Sequence, residues 1–418
     1  MLKKLGVLIA VLSSAGAAAA ADTGAVPALD FAGQTYTVEA AAIPALAVPP
    51  PPPLKEWTVM VFMNAKNNLE KYGISDLNEM ETVGSGPKVN IVAQVGRMKG
   101  FDASNGDWTG VRRFCITRDA DPAIVNSKAV ADLGQADMGD VKELEKFVEW
   151  AKREYPARRY MLVVWNHGSG WLKGDPAPEK GISYDDETGH NIDTPQLGRA
   201  LAGMGHIDLL AFDACLMQMA EVAYELRGEV DYIAASEQTE PNDGYNYREV
   251  LGALAAAPAM GAEELGTRTV KAFLAGNLVD KKLISTHSLI RAGKAGELAS
   301  LMDAFARAAM RSGDKAALVK ARKAAQTYDA LGNKDLYDFA SLAAGKASDP
   351  AVKAAAKKLT RFISDDLVVI NKKSLWPLNS SNGIAVYLPP VLLEKKAYKE
   401  LKFAADTQWD EFAEWLSK

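Results

Sequence analysis

The chain has 418 residues, 24% charged and 48% hydrophobic, with 33 Gly, 19 Pro and a net charge of −5. These proportions exclude a disordered chain, a collagen-like repeat and a small disulfide scaffold. The mild acidic excess provides no non-specific pull toward nucleic acid or an anionic membrane surface.

The first residues read MLKKLGVLIAVLSSAGAAAAAD. Lys3 and Lys4, the apolar stretch Leu5 to Leu12 and the small residues that follow have the order of a secretory signal. Cleavage within Ala19 to Ala21 makes residues 1–21 a leader and implies export, to the periplasm or the medium. The apolar stretch is well short of the roughly 20 residues a spanning helix needs. Residues 22–55 are Ala/Pro-rich and close on Pro49 to Pro53, which favours a stiff polyproline II spacer or pro-segment.

From residue 56 onward, apolar runs of strand length alternate with amphipathic stretches. Strands are expected at Trp57–Met63, Val89–Val95, Tyr160–Trp165, Ile207–Phe212 and Tyr232–Ser236, with a hairpin around Val111–Ile116. Helices are expected at Asn68–Thr82, Val141–Arg153, Thr194–Gly203 with Thr194 as the N-cap, and Leu216–Arg227. Near-continuous apolar strands separated by helices imply an α/β fold whose mostly parallel sheet is covered on both faces, occupying residues 56–292. Residues 293–418 read as a helix-rich region packing on that core. Its helices are Gly293–Arg311, Lys315–Leu331, Asp335–Leu342 and Ala351–Ile370, and it adds a strand near 383–388. Before it come a helix at Ala262–Ala275 and a strand at Leu283–Leu289.

An exported chain with only two cysteines, Cys115 and Cys215, and four histidines makes each thiol a candidate for chemistry. Functional groups of open α/β sheets gather at the carboxyl ends of the strands. His167, in YMLVVWNHGSGW, and Cys215, in IDLLAFDACLMQMAEVAYEL, each lie just past such an end. Cys115 and His287 sit inside strands, His206 precedes one and His190 is in a polar loop. A helix opening at Cys215 would favour a thiolate. His167 would complete an activated nucleophile, and the N–H groups of Gly168 and Cys215 could hold an oxyanion. Asp213 opposes this by raising the thiol pKa, which suggests that it serves the substrate.

The segments WNHGSGW and DLLAFDACLMQMAEVAYEL resemble those of the clostripain family of cysteine peptidases, relatives of the caspases, legumains and gingipains. The resemblance extends to WTVMVFMNAKNNLE, ISYDD, ASEQTEPNDGYNY and, more loosely, NGIAVYLP, covering roughly Trp57 to Pro389. It implies a caspase-like αβα sandwich and a His167–Cys215 dyad that needs no third residue.

The resemblance further implies an endopeptidase that cuts after Arg or Lys, with Asp213 and Asp243 as the carboxylates of the substrate pocket. It implies self-processing in the loop between His167 and Cys215, at Lys180 or, second, Lys173. No cofactor is required; calcium is an option known for the type member, with Asp185, Asp186, Glu187 and Asp193 as oxygen donors, although their spacing matches no EF-hand. The implied partners are protein or peptide substrates of a monomer, with no nucleic acid and no membrane span. The alternative is a non-catalytic or latent binding protein of the cell envelope that keeps the fold.

Overall fold

The apolar runs condense, in the computed structural model, into a nine-stranded sheet. The structure describes residues 30–31, 34–35, 54–173, 180–277, 284–330, 332–374, 377–391 and 395–418. The expected leader, residues 1–21, lies outside them. The chain divides into two units, residues 1–52 and 53–418. In the first, Asp30–Phe31 and Gln34–Thr35 pair antiparallel, a hairpin within what composition reads as spacer.

The sheet comprises β1 (Lys55–Ala65), β2 (Val89–Arg97), β3 (Gly110–Cys115), β4 (Ala129–Gly134), β5 (Ala157–Trp165), β6 (Ile207–Asp213), β7 (Val230–Ala235), β8 (Thr286–Arg291) and β9 (Val368–Lys373). Their order is β9-β8-β7-β6-β5-β1-β2-β3-β4. The central strands β2, β1, β5, β6 and β7 are parallel, and the flanking strands are antiparallel. Alternate side chains of each central strand enter opposite cores, as the two-residue period requires. Phe62, Val164 and Phe212 pack with α2 (Val141–Glu154), α3 (Thr194–Met204), α4 (Ala220–Glu225) and α7 (Ala295–Arg311). Val61, Val163 and Ala211 pack with α1 (Glu70–Glu81), α5 (Tyr247–Ala256) and α6 (Ala262–Asn277). Among the described residues, no helix is long and apolar enough to cross a membrane.

The structure corrects several boundaries. Asp193, not Thr194, caps α3, because its carboxylate accepts from Gln196 N while the Gln196 side chain answers to Asp193 N. The helix expected through Ile370 ends at Phe362, followed by a π turn and β9, whose sequence VVINKK suits an edge strand. The strand expected near 383–388 is Ala385–Tyr387, and it pairs with Asn333–Asp335 instead of joining the central sheet. Residues 293–418 therefore contribute through β9 to the core sheet itself, and they belong to the same unit.

Glu221 fastens this region to α4: Oε1 accepts from Tyr387 N at 2.9 Å and from Tyr398 Oη at 2.7 Å, while Oε2 has no hydrogen-bond partner. Burial pushes its carboxyl from 4.5 up to about 7. A raised carboxyl pKa means that the folded state takes up the proton, so stability falls as pH rises from about 4.5 to about 7. Glu221→Gln copies the protonated form. Its melting temperature should exceed that of the wild type by about 4 °C at pH 8, corresponding to about 3 kcal/mol, and match it near pH 4.5. Equal shifts at both pH values would exclude this origin.

Candidate active site

The parallel register brings two chain crossings to one edge of the sheet. Asp213, the last residue of β6, sits opposite Trp165, the last residue of β5. Asn166 then ties the strand ends together: its N–H donates to Asp213 O at 3.2 Å, its Nδ2 donates to Asn64 O, and its Oδ1 accepts from Tyr184 N at 2.7 Å. His167 and Cys215 follow directly and line the same cleft, with Leu69, Asp213, Glu240 and Gly244.

Cys215 is held in a turn. Leu216, buried, adopts φ +64°, a left-handed conformation costing a non-glycine residue roughly 1–2 kcal/mol. It then donates from its N–H to Gln238 O at 3.2 Å, and Gln218 N donates to Ser236 O at 2.9 Å. The Cys215 Sγ accepts from Glu240 N at 3.2 Å. Residue 168 must be glycine, because a Cβ there would lie 2.5 Å from Cys215 O.

A second cleft of about 240 Å³, lined by Tyr72, Ser75, Asp76, Glu79, Asp243, Gly244, Tyr245 and Asn246, adjoins the first at Gly244. Gly244 has φ +51°, and a Cβ would come within 2.4 Å of Asp213 Oδ1. Asp213 is buried, accepting from Tyr245 N at 3.2 Å and from Tyr247 Oη at 2.8 Å. Burial, joined by the charge of Glu79, pushes its carboxyl up to about 7. Burial and then the Asp213 charge raise Asp76 and Glu240 as well. The walls thus concentrate carboxyl groups that repel one another, an environment a bound cation would relieve.

The model of the clostripain family, Peptidase_C11, matches residues 61–415. The chain belongs to the clostripain family. A curated relative, clostripain from Hathewaya histolytica, is 29% identical over 229 residues, covering 50% of this chain. The match spans only 44% of that relative's length. Among solved structures, an inactive zymogen C11 protease from Parabacteroides distasonis superposes with a TM-score of 0.65 at 20% identity, covering 85% of this chain and 99% of its own. A secreted C11 cysteine protease from Bacteroides thetaiotaomicron, in complex with an irreversible peptide inhibitor, gives 0.62 at 21%, covering 86% and 99%. At these identities the likeness establishes the fold, the αβα sandwich expected for this family.

Family membership leaves each residue's role to the geometry. Cys215 does not open a helix: α4 begins at Ala220, so no helix N-terminus supports a thiolate. Burial raises the thiol above its ordinary value of 9.0, against the Glu240 N–H, which lowers it. Because a raised pKa retains the proton, alkylation of Cys215 by iodoacetamide should accelerate continuously from about pH 7 to about pH 10. A fast plateau at neutral pH, with Cys215→Ser as the blank for Cys115, would instead indicate a resting thiolate.

Asp243 is exposed on the second cleft, whereas Asp213 lies buried between the two. Lys173 and Lys180 face each other in register as the end of strand Gly168–Lys173 and the start of Lys180–Asp185; residues 174–179 between them lie outside the described residues. Gly181 N donates to Ser169 Oγ at 2.9 Å, so a cut after Lys180 requires that hairpin to open. Asp185 is paired with Lys66 at 3.2 Å, Glu187 with the same lysine at 2.7 Å, and Asp193 is occupied as a cap. A calcium ion there would have to displace Lys66. Among the described residues, His206, Asp208 and Asp231 could place ligand atoms within 4.8 Å of one another, but they lie at the opposite ends of β6 and β7 from the thiol.

Sequence reasoning missed Asn68, Asp76, Glu79, Asn166 and Glu240. For Asp76 and Glu79 a signal existed: they fall at helical spacing among Gly73, Ile74, Leu77 and Met80, and carboxylates on an apolar helix face call for an explanation. The C-terminal region also braces the wall of the thiol cleft. Tyr328 Oη donates to Glu237 Oε1 at 2.8 Å, Asp329 N donates to Gln238 Oε1 at 2.9 Å, and Thr239 Oγ1 donates to Asp329 Oδ2 at 2.7 Å.

Proposed function

We propose that the protein is an exported cysteine endopeptidase that cuts after Arg or Lys. The observation that carries this reading is a thiol and an imidazole lining one cleft at adjoining strand ends, next to a second cleft walled by Asp76, Glu79 and Asp243. Cys215 attacks the scissile carbonyl while its proton passes to His167. The N–H groups of Gly168 and Cys215 receive the oxyanion. His167 then protonates the departing amine, leaving a thioester on Cys215, and next takes a proton from the water that cleaves the thioester and restores the thiol. The side chain before the cut bond extends past Gly244, where Asp213 and Asp243 meet its cation. Self-processing after Lys180 or Lys173, calcium dependence and a monomeric state belong to the same proposal, and the leader-like residues 1–21 support export.

A latent form is the second reading, favoured by the small size of the thiol cleft, about 30 Å³ against about 240 Å³ for its neighbour. The test is incubation of the purified protein with and without calcium. Intact mass would be followed, together with matched peptides carrying Arg, Lys or Leu before the cut. Turnover of the Arg or Lys peptide well above the Leu peptide is expected, and faster turnover of the Leu peptide would overturn the specificity. Silence toward all three from folded protein would favour the latent or binding reading.

A further inference from the structure

We infer that Asn68 is a positioning residue for His167, its Oδ1 accepting the Nε2–H and so leaving the Nδ1 lone pair to exchange the proton. This rests on the proposed role of His167 as general acid and base. Asn68 Oδ1 lies 2.7 Å from His167 Nε2. An amide oxygen only accepts, so the ring nitrogen facing it carries the hydrogen. His167 stands between two clefts, the one it shares with Cys215 and one of about 350 Å³ that it shares with Asn67, Asn68 and Tyr184.

The loop is built to hold that oxygen still. Asn67, buried before it, accepts from Leu69 N at 2.9 Å and donates from Nδ2 to Tyr184 O at 3.0 Å. Lys66, also buried, donates to Ala136 O at 2.9 Å and pairs with Asp185. Immediately after it, Leu69 lines the thiol cleft, and Glu70 forms a fully buried ion pair with Arg97 at 2.7 Å. The Tyr184 ring stands edge-on to the imidazole at 6.4 Å. Every residue from Lys66 to Glu70 is thereby accounted for, and Asn68, itself exposed, places its side-chain oxygen at the imidazole.

The proton balance follows. The thiol proton goes to Nδ1, and from Nδ1 to the departing amine; the Nε2 proton stays on the ring throughout. While the ring is doubly protonated, its bond to the amide oxygen becomes charge-assisted and stronger, which favours the step.

The test uses the full chain with 15N-labelled histidine, whose four residues allow His167 to be assigned by comparison with His167→Gln. Nitrogen shifts should report the Nε2–H tautomer in the wild type and a mixture in Asn68→Ala. With an Arg peptide, Asn68→Ala should lower kcat about 10- to 100-fold with KM held within about twofold. Asn68→Asp should recover much of kcat and move the acid limb of the pH profile upward, because a carboxylate favours the charged imidazole. An Nδ1–H tautomer in the wild type, or Asn68→Ala indistinguishable from it in tautomer and kcat, would overturn the inference. If no peptide is cleaved by the wild type, the peptidase reading fails, while the tautomer measurement still decides on Asn68.

Discussion

Replacing Cys215 with alanine is expected to lower peptide hydrolysis by about 10⁴-fold or more and to abolish labelling by a thiol-directed peptide reagent, with little change in folding. The loss is large because covalent catalysis has no substitute for the nucleophile, while the backbone N–H groups at positions 168 and 215 would still polarise a carbonyl. The structural cost is small. The Sγ contributes a weak hydrogen bond with Glu240 N, and Cys215 is only partly buried, so about 1 kcal/mol or less is at stake. Labelling kinetics and thermal melting of the two proteins check both halves. Labelling that survives in Cys215→Ala must fall on Cys115, the other free cysteine, and would displace the nucleophile assignment.

Asp213→Asn is expected to separate specificity from folding. The amide oxygen can still accept from Tyr245 N and Tyr247 Oη, so the wall of the cleft keeps its shape while the charge is removed. Turnover of an Arg peptide, read as kcat/KM, should fall about 100- to 1,000-fold, the scale of losing a buried charge-assisted pair, and that of a Leu peptide should change little. Because burial raises the wild-type carboxyl from 3.8 to about 7, the empty protein loses stability as pH rises between these values, and Asp213→Asn should remove that loss. A basic substrate requires the ionised form, so wild-type affinity for the Arg peptide should improve as pH rises through about 7 and that of the variant should not. Equal losses on the Arg and Leu peptides would assign Asp213 a structural role. Asp243→Ala should have the smaller effect, since an exposed carboxylate is screened by water.

Two of the residues that close approach requires to be glycine, Gly168 and Gly244, show how local sequence and tertiary structure divide the work. Both Gly168 and Gly244 stand out in their motifs, yet what excludes a side chain in each case is an atom brought from another strand end: Cys215 O in one, Asp213 Oδ1 in the other. The thiol environment shows the reverse. The sequence after Cys215 reads as a helix, but Leu216 takes a left-handed turn and pairs with Gln238, so Cys215 receives a backbone N–H from Glu240 in place of a helix dipole. Three strand-end segments compete for the same backbone groups there, and pairing along the sheet prevails over helix propensity.

The sequence by itself determined the layered α/β class and the placement of His167 and Cys215 at corresponding strand ends, because apolar period and turn chemistry are local properties. It also carried the resemblance to the clostripain family. Tertiary structure alone decided that Asp76, Glu79 and Glu240 come close enough to Asp213 for their charges to act on one another, that Asn68 meets His167, and that β9 rather than Ala385–Tyr387 extends the central sheet. Those relations join residues far apart in the chain through burial, charge and register, which depend on which elements become neighbours, and no local pattern encodes that.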